Sequence, residues 1–295
     1  MTRLNPEKLS IVIPARNEAV SLDSLLPDLT QRFPDSEILV INDGSTDETH
    51  AVCERHGVTC VDHPHSMGNG AAIKHGARLA KGEVIVFMDG DGQHRPEHVE
   101  HLLERFNEGG YEMLVGARPW SSQAGILRGL GNRTFNWIAS WMTGHRIPDL
   151  TSGLRVVRAR RFREFLHLLP NGFSYPTTST MAFFRSGYPV GYETVDVRPR
   201  IGTSHLNIWK EGGRFLLIIF RIGVMYSPMK FFAPVSLLLF ALASLLYAYT
   251  FATEGRFTNM SALLYMTSLL TFLIGLLSEQ INSLMFARRN EDNRQ

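Results

Sequence analysis

Short apolar runs bounded by polar turns recur along the first part of the chain, and between them lie segments with apolar residues at helical spacing. Ser10 to Ile13, Glu37 to Ile41, Val58 to Val61, Glu83 to Met88 and Glu112 to Val115 read as strands. Glu18 to Phe33, Thr46 to His56, Asn69 to Lys81 and Pro96 to Asn107 read as helices. This alternation predicts an α/β fold with a Rossmann-like, mainly parallel sheet covered on both faces. Farther along, Trp120 to His145, Ala159 to Leu169 and Pro176 to Arg185 read as helices and Gly191 to Pro199 as a strand. In such sheets ligands bind beyond the carboxyl ends of the strands, so polar residues directly after each strand are the candidates for chemistry.

After Lys230 the pattern changes. Phe231 to Thr253 and Phe257 to Ser278 are uncharged runs of about 23 and 22 residues, each long enough to cross a hydrocarbon core about 30 Å thick. Only Glu254-Gly255-Arg256 separates them, so the two spans form a hairpin with both ends on one side. Lys210, Arg214, Arg221 and Lys230 before it and Arg288, Arg289 and Arg294 after it mark that side as cytoplasmic. Lys210, Arg214 and Arg221 also fall within about 40° of one another on a helical wheel, which predicts a helix lying in the membrane interface. The expected organisation is a cytosolic domain over 1–205, an interfacial amphipathic helix over 206–229, a two-helix transmembrane hairpin over 230–287 and a cytosolic tail over 288–295. An inner membrane of bacterial type is the expected location. The N-terminal residues lack the apolar core of a signal peptide, which agrees with a cytosolic domain.

Composition adds little to this picture. A formal charge of +2 over 295 residues carries no basic patch that would point to nucleic acid. Cys53 and Cys60, the two cysteines, are too few for a disulfide framework. Self-association as a homo-oligomer is compatible with the sequence and not specified by it.

Three polar turns follow predicted strands: Pro14-Ala15-Arg16-Asn17-Glu18, Asn42-Asp43-Gly44-Ser45-Thr46-Asp47 and Asp89-Gly90-Asp91-Gly92-Gln93-His94. Ser45 and Asp47 fit ordinary turn and helix-cap chemistry at least as well as ligand contact. Asp89 and Asp91 differ, because two carboxylates flanking one glycine can share a divalent cation, with the Gln93 amide oxygen beside them. Hard oxygen donors of this kind suit Mg²⁺ or Mn²⁺.

With these turns the chain resembles the inverting family 2 glycosyltransferases of GT-A fold, and within them the polyisoprenyl-phosphate glycosyltransferases, such as dolichol-phosphate mannose synthases and bacterial undecaprenyl-phosphate sugar transferases. Ile11 to Glu18, Asn42 to Asp47 and Asp89 to Gln93 carry the resemblance, together with Gly68 to Ala72, Gly116 to Arg118, Arg128 to Asn136, Asp149 to Gly153 and Arg200 to Ser204. It implies that Pro14, Glu18 and Asp43 line the base and ribose of a nucleotide sugar, with Asp89, Asp91 and Gln93 at the metal and diphosphate. Arg118, Arg133 and Asn136 would bind the phosphate of a polyisoprenyl acceptor, and Arg200 and Ser204 would close over the donor phosphates. Asn42 stands where the family usually has aspartate, and His205 where a lysine often follows the serine. The base is tilted toward uracil over guanine.

The implied reaction is metal-dependent transfer of a sugar from a nucleotide diphosphate to a polyisoprenyl phosphate. A lipid phosphate is largely dianionic at neutral pH and can attack without a base, so Asp149 is expected to orient Arg118, Arg133 or the sugar. A polysaccharide synthase of the same fold is the first rival, but its Gln-x-x-Arg-Trp segment is absent and the spans are too few. A non-catalytic membrane scaffold is the second, opposed by the intact Asp89, Asp91, Arg118 and Arg133. Gly68-Asn69-Gly70 partly mimics a dinucleotide fingerprint but follows the third strand, so helix-start packing is expected there. His94, His98 and His101 are expected to form a solvated helix face.

Overall fold

The computed structural model describes residues 9–119, 126–172, 174–197, 224 and 227–292, the side chains of 126–132 and 285–292 excepted. The chain divides into two compact units, Met1–Asn207 and Ile208–Gln295.

In the first unit, seven strands form one sheet: β1 (Leu9–Ala15), β2 (Glu37–Asn42), β3 (Thr59–Asp62), β4 (Val84–Phe87), β5 (Met113–Ala117), β6 (Arg155–Arg158) and β7 (Val190–Thr194), in the order β3-β2-β1-β4-β6-β5-β7. β1 sits centrally, with Val12 opposite both Leu39 and Phe87. β6 runs antiparallel to β4 and β5, and the other pairings are parallel. The helices are α1 (Ala19–Arg32), α2 (Thr49–Arg55), α3 (Asn69–Leu79), α4 (Pro96–Gly109), α5 (Ile126–Thr143), α6 (Ala159–Arg163) and α7 (Tyr175–Arg185).

Alternation along the strands sorts side chains between two covered faces. Ile11, Ile13, Val40, Val86 and Val156 pack with Leu22, Leu26 and Leu29 of α1, Val52 of α2 and Val99, Leu102 and Phe106 of α4. On the opposite face, Gly76 of α3 sits so close to Val12 that an added Cβ would lie 2.3 Å from Val12 Cγ1. Phe87 meets Phe162 of α6 with ring centroids 4.6 Å apart. Each such aliphatic side chain removed from water contributes about 1.5–3 kcal/mol, which fixes the sheet as the rigid platform for its loops.

Two expectations are corrected. β6 was not expected as a strand; its four residues, Arg-Val-Val-Arg, are too short to show a period. The helix expected over Ala159 to Leu169 stops at Arg163 and continues as turns. α5 falls within the helix expected from Trp120 to His145, and β7 within the strand expected from Gly191 to Pro199 apart from one residue. Most of the expected interfacial helix, with Lys210, Arg214 and Arg221, lies outside the described residues.

The second unit holds α8 (Pro228–Glu254) and α9 (Asn259–Asp292). Two stretches, Pro228–Glu254 and Asn259–Leu284, are long and apolar enough to cross a membrane; at 1.5 Å per residue each spans roughly 40 Å. Gly255 ends α8 in the left-handed conformation, φ 67°, as a helix C-terminal glycine often does. The pair is tied by reciprocal hydrogen bonds, Ser236 Oγ to Ser268 O at 2.9 Å and Ser268 Oγ to Ser236 O at 2.8 Å. Tyr265 Oη donates to Ser244 Oγ at 3.0 Å. Small residues and hydroxyls at the seam, with Leu237, Leu245, Leu269 and Leu277 exposed outside it, match helices packed within lipid. α9 also continues through the segment expected as a tail, to Asp292.

Candidate active site

The loops after β1 and β2 are stitched together by short polar side chains. Asn17, at φ 55°, donates its N–H to Ser45 Oγ at 2.9 Å and accepts from Thr46 N–H at 2.7 Å through Oδ1. Asp47 accepts from Ala19 N–H at 3.1 Å. Ser45 and Asp47 therefore do the turn and cap work expected of them. Glu18 starts α1, and its N–H donates to Thr49 Oγ1.

Pro14 is buried within β1, opposite Ile41. Asp43 is buried too, and four donors converge on its carboxylate: His63 Nδ1, Ser66 Oγ, Met67 N–H and Gly68 N–H, at 2.8 to 2.9 Å. Burial pushes this carboxyl up, but the donors outweigh burial and hold it below the usual aspartate value. Asp43 thereby fastens the β3–α3 loop beside the first two turns. The following helix start is also occupied: Gly70 N–H donates to Gly172 O and Ala71 N–H to Asn171 O. A Cβ on Gly70 would meet Pro170 O at 2.1 Å, so Gly68-Asn69-Gly70 serves helix-start packing, as expected.

The turn after β4 lies at the seam between parallel and antiparallel strands. Asp89 is half-buried, and Asp91 is buried with Oδ1 accepting from Gln93 N–H at 3.2 Å. Because β6 runs backwards, its entry segment 149–154 reaches this same edge. Gly153 lies against Asp89, where an added Cβ would stand 2.1 Å from Asp89 Oδ2. Ser152 Oγ donates to Gly116 O at 2.5 Å, and Gly116 N–H to Leu154 O at 3.0 Å, which locks the segment to the end of β5.

Arg118, directly after β5, makes a two-pronged ion pair with Asp149: Nε to Oδ2 at 2.8 Å and Nη2 to Oδ1 at 3.1 Å. Its Nη2 also donates to Thr151 Oγ1 at 2.7 Å. Its Nη1 donates to no acceptor among the described residues. Burial opposes the Arg118 charge, but Asp149, Asp89 and Asp91 outweigh it and raise the group above the ordinary arginine value. Burial likewise pushes Asp149 up, while Arg118 and the Thr151 N–H hold it below the usual range. Asp149 is thus an ionised partner to a guanidinium, and a poor proton acceptor at neutral pH.

Two residues expected at the acceptor phosphate, Arg133 and Asn136, lie one turn apart on α5. Asn136 Nδ2 donates to Pro148 O at 2.6 Å and its Oδ1 accepts from Leu150 N–H at 3.1 Å, so its amide holds the backbone around Asp149. Arg133 is exposed and lines a groove of about 710 Å³ with Asn136, Trp137, Trp141, Arg146 and Pro148. Arg200 and Ser204 lie outside the described residues.

One histidine overturns the expected solvated face. His94 is 4% exposed, burial pushes it down to about 3, and its Nδ1 has no hydrogen-bond partner among the described residues. It precedes α4 rather than riding its surface; His101 is exposed and meets Glu193 at 3.4 Å. Sequence reading also missed the parts played by Gly153, Thr151 and Arg155. Arg155 is fully buried in β6 and donates to Ser152 O at 2.6 Å and Ser179 Oγ at 2.8 Å. A glycine after Asp149-Leu-Thr-Ser was the available signal for a close approach.

Residues 10–185 match the model of glycosyl transferase family 2. The chain belongs to this family. Residues 227–284 match a second model, described as the GtrB C-terminal hairpin. This family 2 member is 30% identical over 162 residues to an uncharacterized protein of Methanocaldococcus jannaschii, covering 52% of this chain and 66% of that one. It is 30% identical to the polyprenol monophosphomannose synthase of Mycolicibacterium smegmatis, covering 62% and 75%. With a dolichyl-phosphate hexose transferase of Haloferax volcanii it shares 26%, covering 72% and 92%. Other curated relatives are spanned over about half their length, 56% for one and 49% for another. In fold it is similar to glucosyl-3-phosphoglycerate synthase of Mycobacterium tuberculosis, a structure that carries Mn²⁺ and uridine diphosphate, with TM-score 0.59, 17% identity and 73% and 78% of the chains covered.

Proposed function

We propose that this chain transfers a sugar, with inversion, from a nucleotide diphosphate donor to a polyisoprenyl phosphate at the cytoplasmic face of a membrane. The observation that carries the reading is the Arg118–Asp149 pair, which sets a guanidinium, bound through Nε and Nη2, in the field of Asp89 and Asp91. Relatives named for polyprenyl-phosphate sugar transfer and the match to the C-terminal hairpin support the acceptor class. The donor is read as a uridine diphosphate sugar, in keeping with the uridine diphosphate in the structural neighbour.

The turn fits a hard divalent cation. Asp89, Asp91 and Gln93 offer oxygen donors on one turn, with Asp91 buried and Asp89 half-buried, a set that suits Mg²⁺ or Mn²⁺. Bound there, the cation neutralises charge on the departing diphosphate. Asp89 and Asp91 orient the donor, and Pro14, Glu18 and Asp43 build the base and ribose side. Arg118 and Arg133 hold the acceptor phosphate in line with the sugar carbon, and Asn136 keeps the Asp149 segment in place. The phosphate is its own nucleophile, since Asp149 is committed to Arg118. The exposed indoles of Trp137 and Trp141 beside Arg133 suit an isoprenoid next to its phosphate. Arg200 and Ser204 close over the donor phosphates, the catalytic domain occupies 1–205, and both termini lie in the cytoplasm.

The test is a screen of radiolabelled nucleotide sugars with the purified protein, using undecaprenyl or dolichyl phosphate as acceptor. One donor yielding a lipid-extractable, mild-acid-labile product supports the reading. Transfer only to water-soluble acceptors would overturn it.

A further inference from the structure

On the far side of the sheet from β7, α2 and β3 gather nitrogen, sulfur and oxygen donors that the proposed reaction does not use. His50 stands in the first turn of α2, while Cys60 and Asp62, two apart, share a face of β3. The donor atoms of His50, Cys60 and Asp62 all lie within 4.8 Å of one another. His50 Nδ1 is shielded from solvent and pairs with Asp62 Oδ2 at 2.7 Å, so the imidazole is already turned toward the carboxylate. Cys60 Sγ is 3.9 Å from Asp62 Oδ1.

The outer contacts fit the same disposition. His50 Nε2 is 3.3 Å from Glu54 Oε1, one turn on. Asn42 Nδ2 donates to Asp62 Oδ1 at 2.7 Å, and Asn42 Oδ1 is itself held by Ser45 N–H at 3.1 Å. A metal-bound imidazole usually gives its second nitrogen to a carboxylate, and a metal-bound carboxylate is hydrogen-bonded on its outer side.

We propose that His50, Cys60 and Asp62 form a site for a borderline-soft divalent cation, zinc above all, separate from the hard-oxygen turn at Asp89 and Asp91. Thiolate, imidazole and carboxylate are the donors zinc takes. Zinc bonds of about 2.0–2.3 Å at tetrahedral angles put ligand atoms roughly 3.3–3.8 Å apart, so only small side-chain shifts separate the present positions from coordination. The fourth corner is assigned to solvent, because Cys53, although beside Cys60, is not among the donors gathered within 4.8 Å of one another. Zinc takes the thiolate and the neutral imidazole, so binding releases protons. Through Asn42 the ion would brace the turn after β2.

The full chain, purified in detergent and stripped with chelator, is given Co²⁺ or Zn²⁺ in the presence of excess Mg²⁺. The expected result is a thiolate-to-cobalt absorption band and one zinc per chain, with protons released on binding. Cys60→Ser and Asp62→Asn, each checked for native circular dichroism, should abolish both, whereas Asp91→Ala should keep both. Glu54→Gln should weaken zinc about 10-fold. Absence of the band in the unsubstituted protein, its survival in Cys60→Ser, or its loss in Asp91→Ala or in Cys53→Ser alone would overturn the proposal. Should Cys60→Ser fail to fold, Asp62→Asn and His50→Gln decide the matter by the same readouts.

Discussion

Asp91 is buried on the turn after β4, where it is proposed to hold the cation with Asp89 and Gln93. Asp91→Ala is expected to abolish transfer and leave the thermal midpoint nearly unchanged; Asp89→Ala should do almost as much and Gln93→Ala less. Chelator should abolish activity of the unsubstituted enzyme, and Mg²⁺ or Mn²⁺ should restore it. Full turnover in excess chelator would show that the turn has another task. Arg118 and Asp149 are more tightly coupled to stability. Asp149 is 2% exposed, so Arg118→Ala strands a buried carboxylate, at about 3–5 kcal/mol. Arg118→Met with Asp149→Leu should recover most of that stability in a denaturant titration and recover no activity. Asp149→Asn should not regain activity as pH rises, since its carboxylate is held ionised by Arg118 rather than poised to accept a proton. His94 gives a pH dependence of stability. Its folded value, about 3, lies below the unfolded value near 6.5, so the folded state binds fewer protons. Its contribution is intact above about 6.5 and lost as pH falls toward 3, at no more than about 1.4 kcal/mol per unit. Thermal melts near pH 7.5 and 5 should converge in His94→Gln relative to the unsubstituted protein.

Among the elements, β6 determines how the site is assembled. Gly153→Ala puts a Cβ where Asp89 Oδ2 now sits, and the carboxylate must turn away. The metal concentration for half-maximal activity should rise roughly 10-fold or more, with little change in the apparent KM for lipid phosphate. Strands β1 to β5 and helices α1, α3 and α4 were legible in the sequence because each has a long enough apolar period and a polar turn behind it. β6 was not, since Arg-Val-Val-Arg offers no alternation and both its arginines read as surface. Only the fold shows that Arg155 is enclosed among Ser152, Ser179 and Thr180. The three turns could be found because each directly follows an apolar run that reads as a strand. The Arg118–Asp149 pair joins positions 31 apart, and no local pattern brings such residues together. His94 misled because i, i+4 spacing from His98 suggests a helix that in fact begins at Pro96.

For the whole molecule, the two-span arrangement proposed from the apolar helices and the basic residues outside them would put Gly255 on the far side of the membrane from both termini. A cysteine introduced at Gly255 should react with an impermeant maleimide from outside intact cells, and cysteines near Met1 and Gln295 only after lysis. Labelling at Gly255 from the cytoplasmic side alone would overturn the two-span arrangement. Gly255 is a left-handed position, so a neighbouring cysteine at Arg256 is the safer control.

The backward run of β6 has a consequence for how such chains diversify. Apart from Arg200 and Ser204, what the donor is proposed to touch is encoded by Gln93, and what is proposed for the acceptor comes after Gly116. The later stretch reaches the metal turn where segment 149–154 folds back onto Asp89, and it packs on the earlier one again at Asn171 and Gly172. Inheritance can therefore alter the part between Gly116 and Asp149, provided that a glycine at 153 and a carboxylate at 149 still close the join. Chimaeras cut between β4 and β5, and again just before Asp149, are accordingly the natural route to swapping the lipid while keeping the sugar.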